Sequence, residues 1–166
     1  ACNACHDDQE ASWARDKIIE WYGSERPLDV HHTRTIHAGR QRQPGAEQAL
    51  TTLATDPNAY AIHRATALDL LLGYSASASE SAGRTALEHE DALVRGTAIR
   101  NVEHLAADAL APLLSPLLKD PSRFVRTEAA RTLSRIARSH FSGEMAAESS
   151  ALSDALQEYR EGQRAT

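Results

Sequence analysis

The first six residues contain two thiols and an imidazole at a spacing suited to one kind of cofactor. The stretch reads Ala-Cys-Asn-Ala-Cys-His, and Cys2 and Cys5 are the only cysteines among the 166 residues. In a Cys-x-x-Cys-His sequence the thiols can form thioethers with the two vinyl groups of a haem, and the histidine can bind the iron. The motif therefore predicts a haem c (iron) attached through Cys2 and Cys5, with His6 as the proximal iron ligand.

A second axial ligand is expected from the histidine-rich stretch HHTRTIH. We expect residues 24–45 to be a polar loop that can fold back on the first helix and approach the iron from its other side. His31 is the preferred distal ligand, with His32 and His37 as alternatives, which makes the predicted haem bis-histidine. Weaker candidates are His63 and the single methionine, Met145, and the remaining histidines are expected to lie solvated at loops or helix ends: His89, His104 and His140.

Two other uses of the cysteines remain open. Cys2 and Cys5 can join His31 and His37 as a zinc site, although the H-x₅-H spacing lies at the edge of the usual range. They can also form a disulfide or stay inert. A thioredoxin-like redox pair requires a βαβ context, and the sequence pattern contains no strands.

Three arginines set the register of an internal repeat. Arg64, Arg95 and Arg126 follow one another at intervals of 31 residues, each ahead of small residues and an apolar pair. Apolar positions recurring every three or four residues predict that each arginine lies on the second helix of a helix pair. The predicted second helices are 59–73, 91–105 and 122–138, preceded by helices that include 46–54 and 107–118. The turns between them fall at Asp56-Pro57, Glu90-Asp91 and Asp120-Pro121.

These pairs predict an all-α fold, an α-solenoid of HEAT-like helical pairs with an N-terminal haem-binding segment. The expected domains are a haem-binding segment over 1–45, HEAT-like repeats over 46–140 and a C-terminal capping helix over 141–166. A helix over 7–22, capped by Asp7 or Asp8, is expected to lead out of the haem motif. The repeated arginines are expected to pair with an acid or carbonyl of a neighbouring repeat.

Composition excludes several classes of function. The formal net charge is −5 at pH 7, and binding to nucleic acid requires a basic face. No apolar run approaches the roughly 18 residues that a membrane-spanning helix needs. Because no Ser/His/Asp set, carboxylate pair or phosphate-binding loop stands out, the chain is not expected to be an enzyme.

Four motifs in order resemble a family of bacterial multihaem c-type cytochromes. They are C-N-A-C-H (2–6), a helix ending W-Y-G (21–23), His31 with Arg40 nine residues later, and R-A-T-A-L (64–68) ahead of the repeats. In that family a block of haem motifs precedes HEAT-like repeats, and tetratricopeptide repeats often follow. The resemblance implies that this chain is the segment with the last haem motif and the HEAT-like block, and that His31 is the family's histidine after W-Y-G.

The haem motif and the resemblance together predict electron transfer. The expected partners are other haem-bearing subunits or domains, acting as electron donor or acceptor within a larger multihaem assembly. A motif at residue 2 also suggests that the chain is a piece of a longer polypeptide. Haem is attached to such motifs on the outer side of the bacterial inner membrane, so the expected location is periplasmic or extracellular. The alternative function is a non-haem HEAT-like scaffold with a zinc or structural site.

Overall fold

Helices account for every regular element in the part of the chain that the computed structural model describes, namely residues 6, 8–24, 32–136 and 146–164. The elements are α1 (Ala11–Tyr22), α2 (His32–Arg40), α3 (Ala46–Thr55), α4 (Ala61–Leu71), α5 (Ala76–Ala86), α6 (Ala92–Val102), α7 (Ala107–Leu114), a 3₁₀ helix (Ser115–Lys119), α8 (Arg123–Leu133) and α9 (Ala146–Arg164). They divide into two units, Ala1–His31 and His32–Thr166. The predicted all-α class is confirmed.

Helix α1 belongs to the first unit and begins later than the sequence suggests. It starts at Ala11, after Glu10, whose side chain forms no capping hydrogen bond. Asp8 is not the expected cap, because the N-cap position is Glu10, two residues later; the Asp8 carboxylate accepts a hydrogen bond from the Gln9 side chain. Asp7 lies outside the described residues. The predicted end at Gly23 is confirmed: this glycine has a φ of 80° and donates its N–H to the Ile19 carbonyl.

The second unit is an α-solenoid of helix pairs. Helix α3 pairs with α4, α5 pairs with α6, and α7 with the 3₁₀ helix precedes α8, while α4, α6 and α8 pack side by side. The 31-residue register holds at the buried positions, where three sets of equivalent side chains have no solvent exposure: Ala67, Ala98 and Ala129; Leu68, Ile99 and Ala130; Leu71, Val102 and Leu133. Burial of each leucine, isoleucine or valine contributes about 1.5–3 kcal/mol. Helix α9 closes this core by packing on α8 and the 3₁₀ helix.

The histidine-rich stretch is a helix, where a loop was expected. Helix α2 packs on α3 and α4, placing Ile36 against the core. It approaches α3 closely because Gly39 has no side chain, and a Cβ built there would lie within 3 Å of Leu50. The Tyr74 hydroxyl fixes this helix by donating a hydrogen bond of 2.7 Å to the Gly39 carbonyl. Ile36 is the one large apolar side chain of α2, and a single apolar residue is too little for an apolar period to reveal.

The predicted helix over 107–118 is interrupted. Helix α7 ends at Leu114, and the chain continues as the 3₁₀ helix from Ser115. Pro116 lies in the first turn of the 3₁₀ helix and has no N–H to continue the α-helical ladder, so the chain tightens there. Burial of Leu118 retains the apolar face that the sequence predicts.

Candidate functional site

His6 is the one member of the predicted haem motif that the structure describes. Its side chain is exposed, and its ring centroid lies 4.8 Å from that of Trp13 on α1, with the planes tilted by 49°. Its carbonyl accepts a hydrogen bond from the Gln9 N–H, which forms the turn that leads into α1. Cys2 and Cys5 lie outside the described residues. The described part of the motif is thus an exposed imidazole held against an aromatic ring, ahead of a helix.

The candidates for distal ligand divide between described and undescribed residues. His31 lies outside the described residues. His32 and His37 are on α2 in the second unit, where His37 is exposed and His32 is partly buried. The His32 ring lies 4.9 Å from the His63 ring, and the Tyr60 ring lies 5.9 Å from His63.

The weaker candidate, His63, occupies a core position of its repeat. The equivalent positions in the next two repeats are Val94 and Val125, both with no solvent exposure. Its Nδ1 is buried and has no hydrogen-bond partner within the described part of the chain. The other weak candidate, Met145, lies outside the described residues.

No group of three metal-binding side chains occurs within the described residues. Of the four residues proposed as a zinc set, only His37 is described, because Cys2, Cys5 and His31 fall outside. The His32–His63 pair has no third histidine, cysteine or carboxylate beside it in the described ranges. Both the haem motif and the zinc alternative therefore remain predictions from the sequence.

Arg95 and Arg126 each pair with an acid beyond their own helix pair, as predicted. Arg95 donates from Nε and Nη2 to the two carboxylate oxygens of Asp120, at 2.8 and 2.9 Å, and from Nη1 to the carbonyls of His89 and Glu90. Arg126 repeats this geometry one unit later: it donates to both oxygens of Glu158 at 3.1 and 2.9 Å, and to two backbone carbonyls of its own turn. We call this series, begun by Arg64, the arginine ladder.

Arg64 makes the first rung of the ladder with a histidine in place of a carboxylate. It donates from Nε to the Ala54 carbonyl at 3.1 Å, and its Nη1 lies 2.6 Å from His89 Nε2. His89 stands where Asp120 stands in the next repeat, since each lies 25 residues after the arginine it contacts. His89 Nδ1 also accepts from the Asp91 N–H, as Asp120 accepts from the Ser122 N–H.

His89 lies in the loop after α5, as expected, but it is a partly buried structural residue, so the expectation that it is solvated was wrong. Its two ring nitrogens face two donors, whereas a neutral imidazole has a single free lone pair for accepting hydrogen bonds. A carboxylate at the same place satisfies both donors. The exposed His104 agrees with expectation, its Nε2 lying 3.7 Å from a Glu80 carboxylate oxygen. His140 lies outside the described residues.

The ladder shifts the acid–base equilibria of its members. Burial opposes ionisation of Asp120, but hydrogen bonds from Arg95 and from the Ser122 N–H outweigh it and lower the pKa of Asp120. The hydrogen bond from Arg126 lowers the pKa of Glu158. The hydrogen bond to Asp120 raises the pKa of Arg95, and the bond to Glu158 raises that of Arg126. Each carboxylate rung is consequently an ion pair with charge-assisted hydrogen bonds.

Comparisons with known proteins bear on the repeats. A family model described as HEAT repeats matches residues 81–165, just over half of the chain. No curated protein and no solved structure matches the chain. No helix within the described residues has the length and hydropathy that crossing a bilayer requires.

Proposed function

Because the chain belongs to the HEAT-repeat family, we propose that it combines a rigid scaffold of repeats with an N-terminal electron-transfer site. In this proposal a haem c is attached at Cys2 and Cys5, with His6 as the proximal ligand. The observation that carries the proposal is the Cys-x-x-Cys-His sequence itself, in a chain with no other cysteines. The resemblance to multihaem cytochromes with HEAT-like repeats supports the same conclusion.

The surroundings of His6 suit an iron ligand. Its imidazole is exposed and forms no hydrogen bond within the described residues, so a ring nitrogen is free to bind a metal. Trp13 lies against the ring and restricts its orientation. A haem bound there supplies one-electron transfer. The chain's own contribution is to hold the cofactor covalently and to orient the imidazole.

The distal ligand in this proposal is His31, with His32 and His37 as the alternatives. His37 is exposed on α2 and forms no hydrogen bond from its ring within the described ranges, which leaves it available. His32 is in ring contact with His63 and would have to leave that contact to bind iron. A bis-histidine haem keeps both axial positions filled, which favours electron transfer over chemistry on an added ligand.

The arginine ladder supports the role of the second unit as a scaffold. Each carboxylate rung joins two repeats through a bidentate ion pair, which fixes their relative orientation. One haem alone cannot carry electrons over a distance, so we propose that the partners are other haem-bearing subunits or domains of a multihaem assembly. The proposed location is periplasmic or extracellular.

Haem attachment is tested by producing the chain in a bacterial host that has the cytochrome c maturation system. We expect one haem per chain by pyridine haemochrome spectrum and intact mass, and none in Cys2→Ser/Cys5→Ser. Low-spin ferric spectra are expected to become high-spin in His6→Ala but not in the matched control His104→Ala, whose side chain is also exposed. Separate alanine variants of His31, His32 and His37 then identify the distal ligand.

A second candidate function is a non-haem interaction scaffold. It is favoured by the arginine ladder and the apolar core, which hold the repeats together without any cofactor. Haem-free protein with one bound zinc per chain, lost on replacing Cys2 and Cys5, would support this candidate and contradict the haem proposal. Haem-free protein with a disulfide or two free thiols would support a purely structural N-terminus and would also contradict the haem proposal.

A further inference from the structure

The exposed side of the repeats follows the same 31-residue register as the core. Ile62, Leu93 and Phe124 stand two residues before the ladder arginines, at equivalent places on α4, α6 and α8. These large apolar side chains are 58%, 38% and 43% exposed. An isolated exposed apolar residue needs no explanation, but three at equivalent places on adjacent helices mark one face of the repeats. We call them the apolar row.

The residues three, four and seven places further along each helix share the face of the apolar row. The residues three places along are small, Ala65 on α4 and Gly96 on α6. The residues four places along are Thr66 and Thr97, whose hydroxyl groups lie next to them. The ring of Phe124 lies over Gly96, where a Cβ would overlap it. Charged side chains come last: Asp69, Arg100 and Arg131. The middle of this face is a groove of about 450 Å³.

Charge is uneven along the groove. Arg100 donates to Asp69 at 2.7 Å, and Arg131 contacts the carboxylates of Glu128 and Glu103. Arg40, at the end of α2, also lines the groove, and its guanidinium forms no ion pair or hydrogen bond within the described part of the chain. Phe124 is the member of the apolar row that lines the groove, and Arg40 is an uncompensated cation at the α2 end of the groove.

We propose that this face binds an amphipathic helix of a partner protein, lying across α4 and α6 towards α8. The apolar side of the partner packs on the apolar row, and a carboxylate at one end pairs with Arg40. The dimensions fit a helix: the apolar and charged rows are seven residues apart, about 10.5 Å, which is close to the diameter of a helix with its side chains. This interaction is independent of any haem.

The repeat spacing sets a sequence rule for the partner. Packed helices are about 8–10 Å apart, and seven residues of a helix rise about 10.5 Å. A helix lying across the repeats therefore meets Ile62, Leu93 and Phe124 with residues roughly seven apart. The rule predicts apolar residues at i, i+7 and i+14, with an acidic residue near the end that reaches Arg40.

A designed peptide tests the rule with the complete chain. The probe is a fluorescein-labelled helical peptide with leucine at i, i+7 and i+14 and one glutamate at the end, and its control is a scrambled peptide of equal composition. Fluorescence anisotropy is expected to give saturable binding for the probe and at least about tenfold weaker binding for the scrambled peptide, a difference of about 1.4 kcal/mol. Replacing the glutamate by glutamine is expected to weaken binding about threefold or more.

Matched variants of the chain locate the site. Leu93→Glu is expected to weaken probe binding at least about tenfold, since it puts a charge into an apolar contact. Leu72→Glu is its control, because Leu72 is 37% exposed against 38% for Leu93 but does not belong to the apolar row. Arg40→Glu is expected to weaken binding about fivefold, and Arg34→Glu on the same helix about twofold at most.

Several results would overturn the proposal. These are no saturable binding at millimolar peptide, equal affinity for the scrambled peptide, or equal effects of the variants at Leu93 and Leu72. Concentration-dependent self-association that Leu93→Glu abolishes would also overturn it, because the occupant would then be a second copy of the chain. Circular dichroism of each variant separates loss of binding from loss of fold.

Discussion

Replacing Asp120 by asparagine tests whether the arginine ladder holds the repeats together. The carboxylate accepts three hydrogen bonds, two from Arg95 and one from the Ser122 N–H. Its side chain is 6% exposed and that of Arg95 is 13% exposed. An asparagine keeps the shape but presents an NH₂ group to a guanidinium that can only donate. The Asp120→Asn variant thus leaves a largely buried cation without its counter-charge.

The expected cost is about 2–4 kcal/mol, because removing one partner of a buried ion pair leaves an uncompensated charge. The matched control is Asp69→Asn, which removes the charge from another ion pair between repeats, Asp69–Arg100. Those side chains are 54% and 49% exposed, and exposed pairs contribute about 0.2–1 kcal/mol at most. The two isosteric substitutions are therefore expected to differ at least about threefold in cost.

The measurement is the free energy of unfolding from urea titrations followed by circular dichroism at 222 nm. The pKa of Asp120 is lowered in the folded state, so its stabilising contribution is complete above the unfolded value of about 3.9 and is lost as pH falls through the folded value. The curves of wild type and Asp120→Asn are thus expected to differ at pH 7 and to converge on acidification below pH 4. Equal costs for Asp120→Asn and Asp69→Asn, or a pH-independent difference, would refute the reasoning.

Three further substitutions test individual packing contacts by the same unfolding measurement. His89→Asp is expected to stabilise the chain by about 1 kcal/mol by supplying the missing carboxylate, whereas His104→Asp, beside an acidic side chain, is expected to give no gain. Gly96→Ala is expected to destabilise the wild type by about 1–3 kcal/mol, because the added methyl group overlaps Phe124. In a Phe124→Ala background the same substitution is expected to stabilise the chain by up to about 1 kcal/mol, because alanine favours a helix more than glycine does. A change of the same sign in both backgrounds would contradict the overlap. His63→Val is expected to add about 1 kcal/mol by removing an unpartnered buried nitrogen, and a loss would show that its ring contacts matter more.

The repeat architecture was predictable because its determinants recur. Three arginines at one interval, followed by small and apolar residues, indicate three equivalent helices from the sequence alone, and α4, α6 and α8 lie within the predicted ranges. The ladder partners of these arginines were predicted only by kind, as an acid or carbonyl of a neighbouring repeat. Glu158 lies 32 residues after Arg126, whereas Asp120 lies 25 after Arg95, so no fixed interval indicates both.

Other features could not be found in the sequence because they depend on tertiary contacts. Helix α2 is held by the packing of Gly39 on Leu50 and by the Tyr74 hydroxyl, 35 residues away. The structural role of His89 could not be predicted without the position of Arg64, because a histidine beside acidic residues in a turn is typically a solvated side chain. The sequence does contain one clue to this role: His89 lies 31 residues before Asp120, one interval of the repeat.

The direction of the arginine ladder has a consequence for how such chains lengthen and shorten. An interval of 31 residues that begins at the turn contains two members of the ladder. The first is the acceptor for the arginine of the preceding interval, and the second is the arginine that donates to the acceptor of the next interval. Duplicating residues 89–119 would therefore create one new rung, in which Arg95 faces the second copy of His89 and the second copy of Arg95 faces Asp120. Deletion of α9 would remove Glu158, the carboxylate to which Arg126 donates two hydrogen bonds. The ladder therefore has a direction: an inserted interval adds a rung, whereas a deletion at its C-terminal end removes an acceptor.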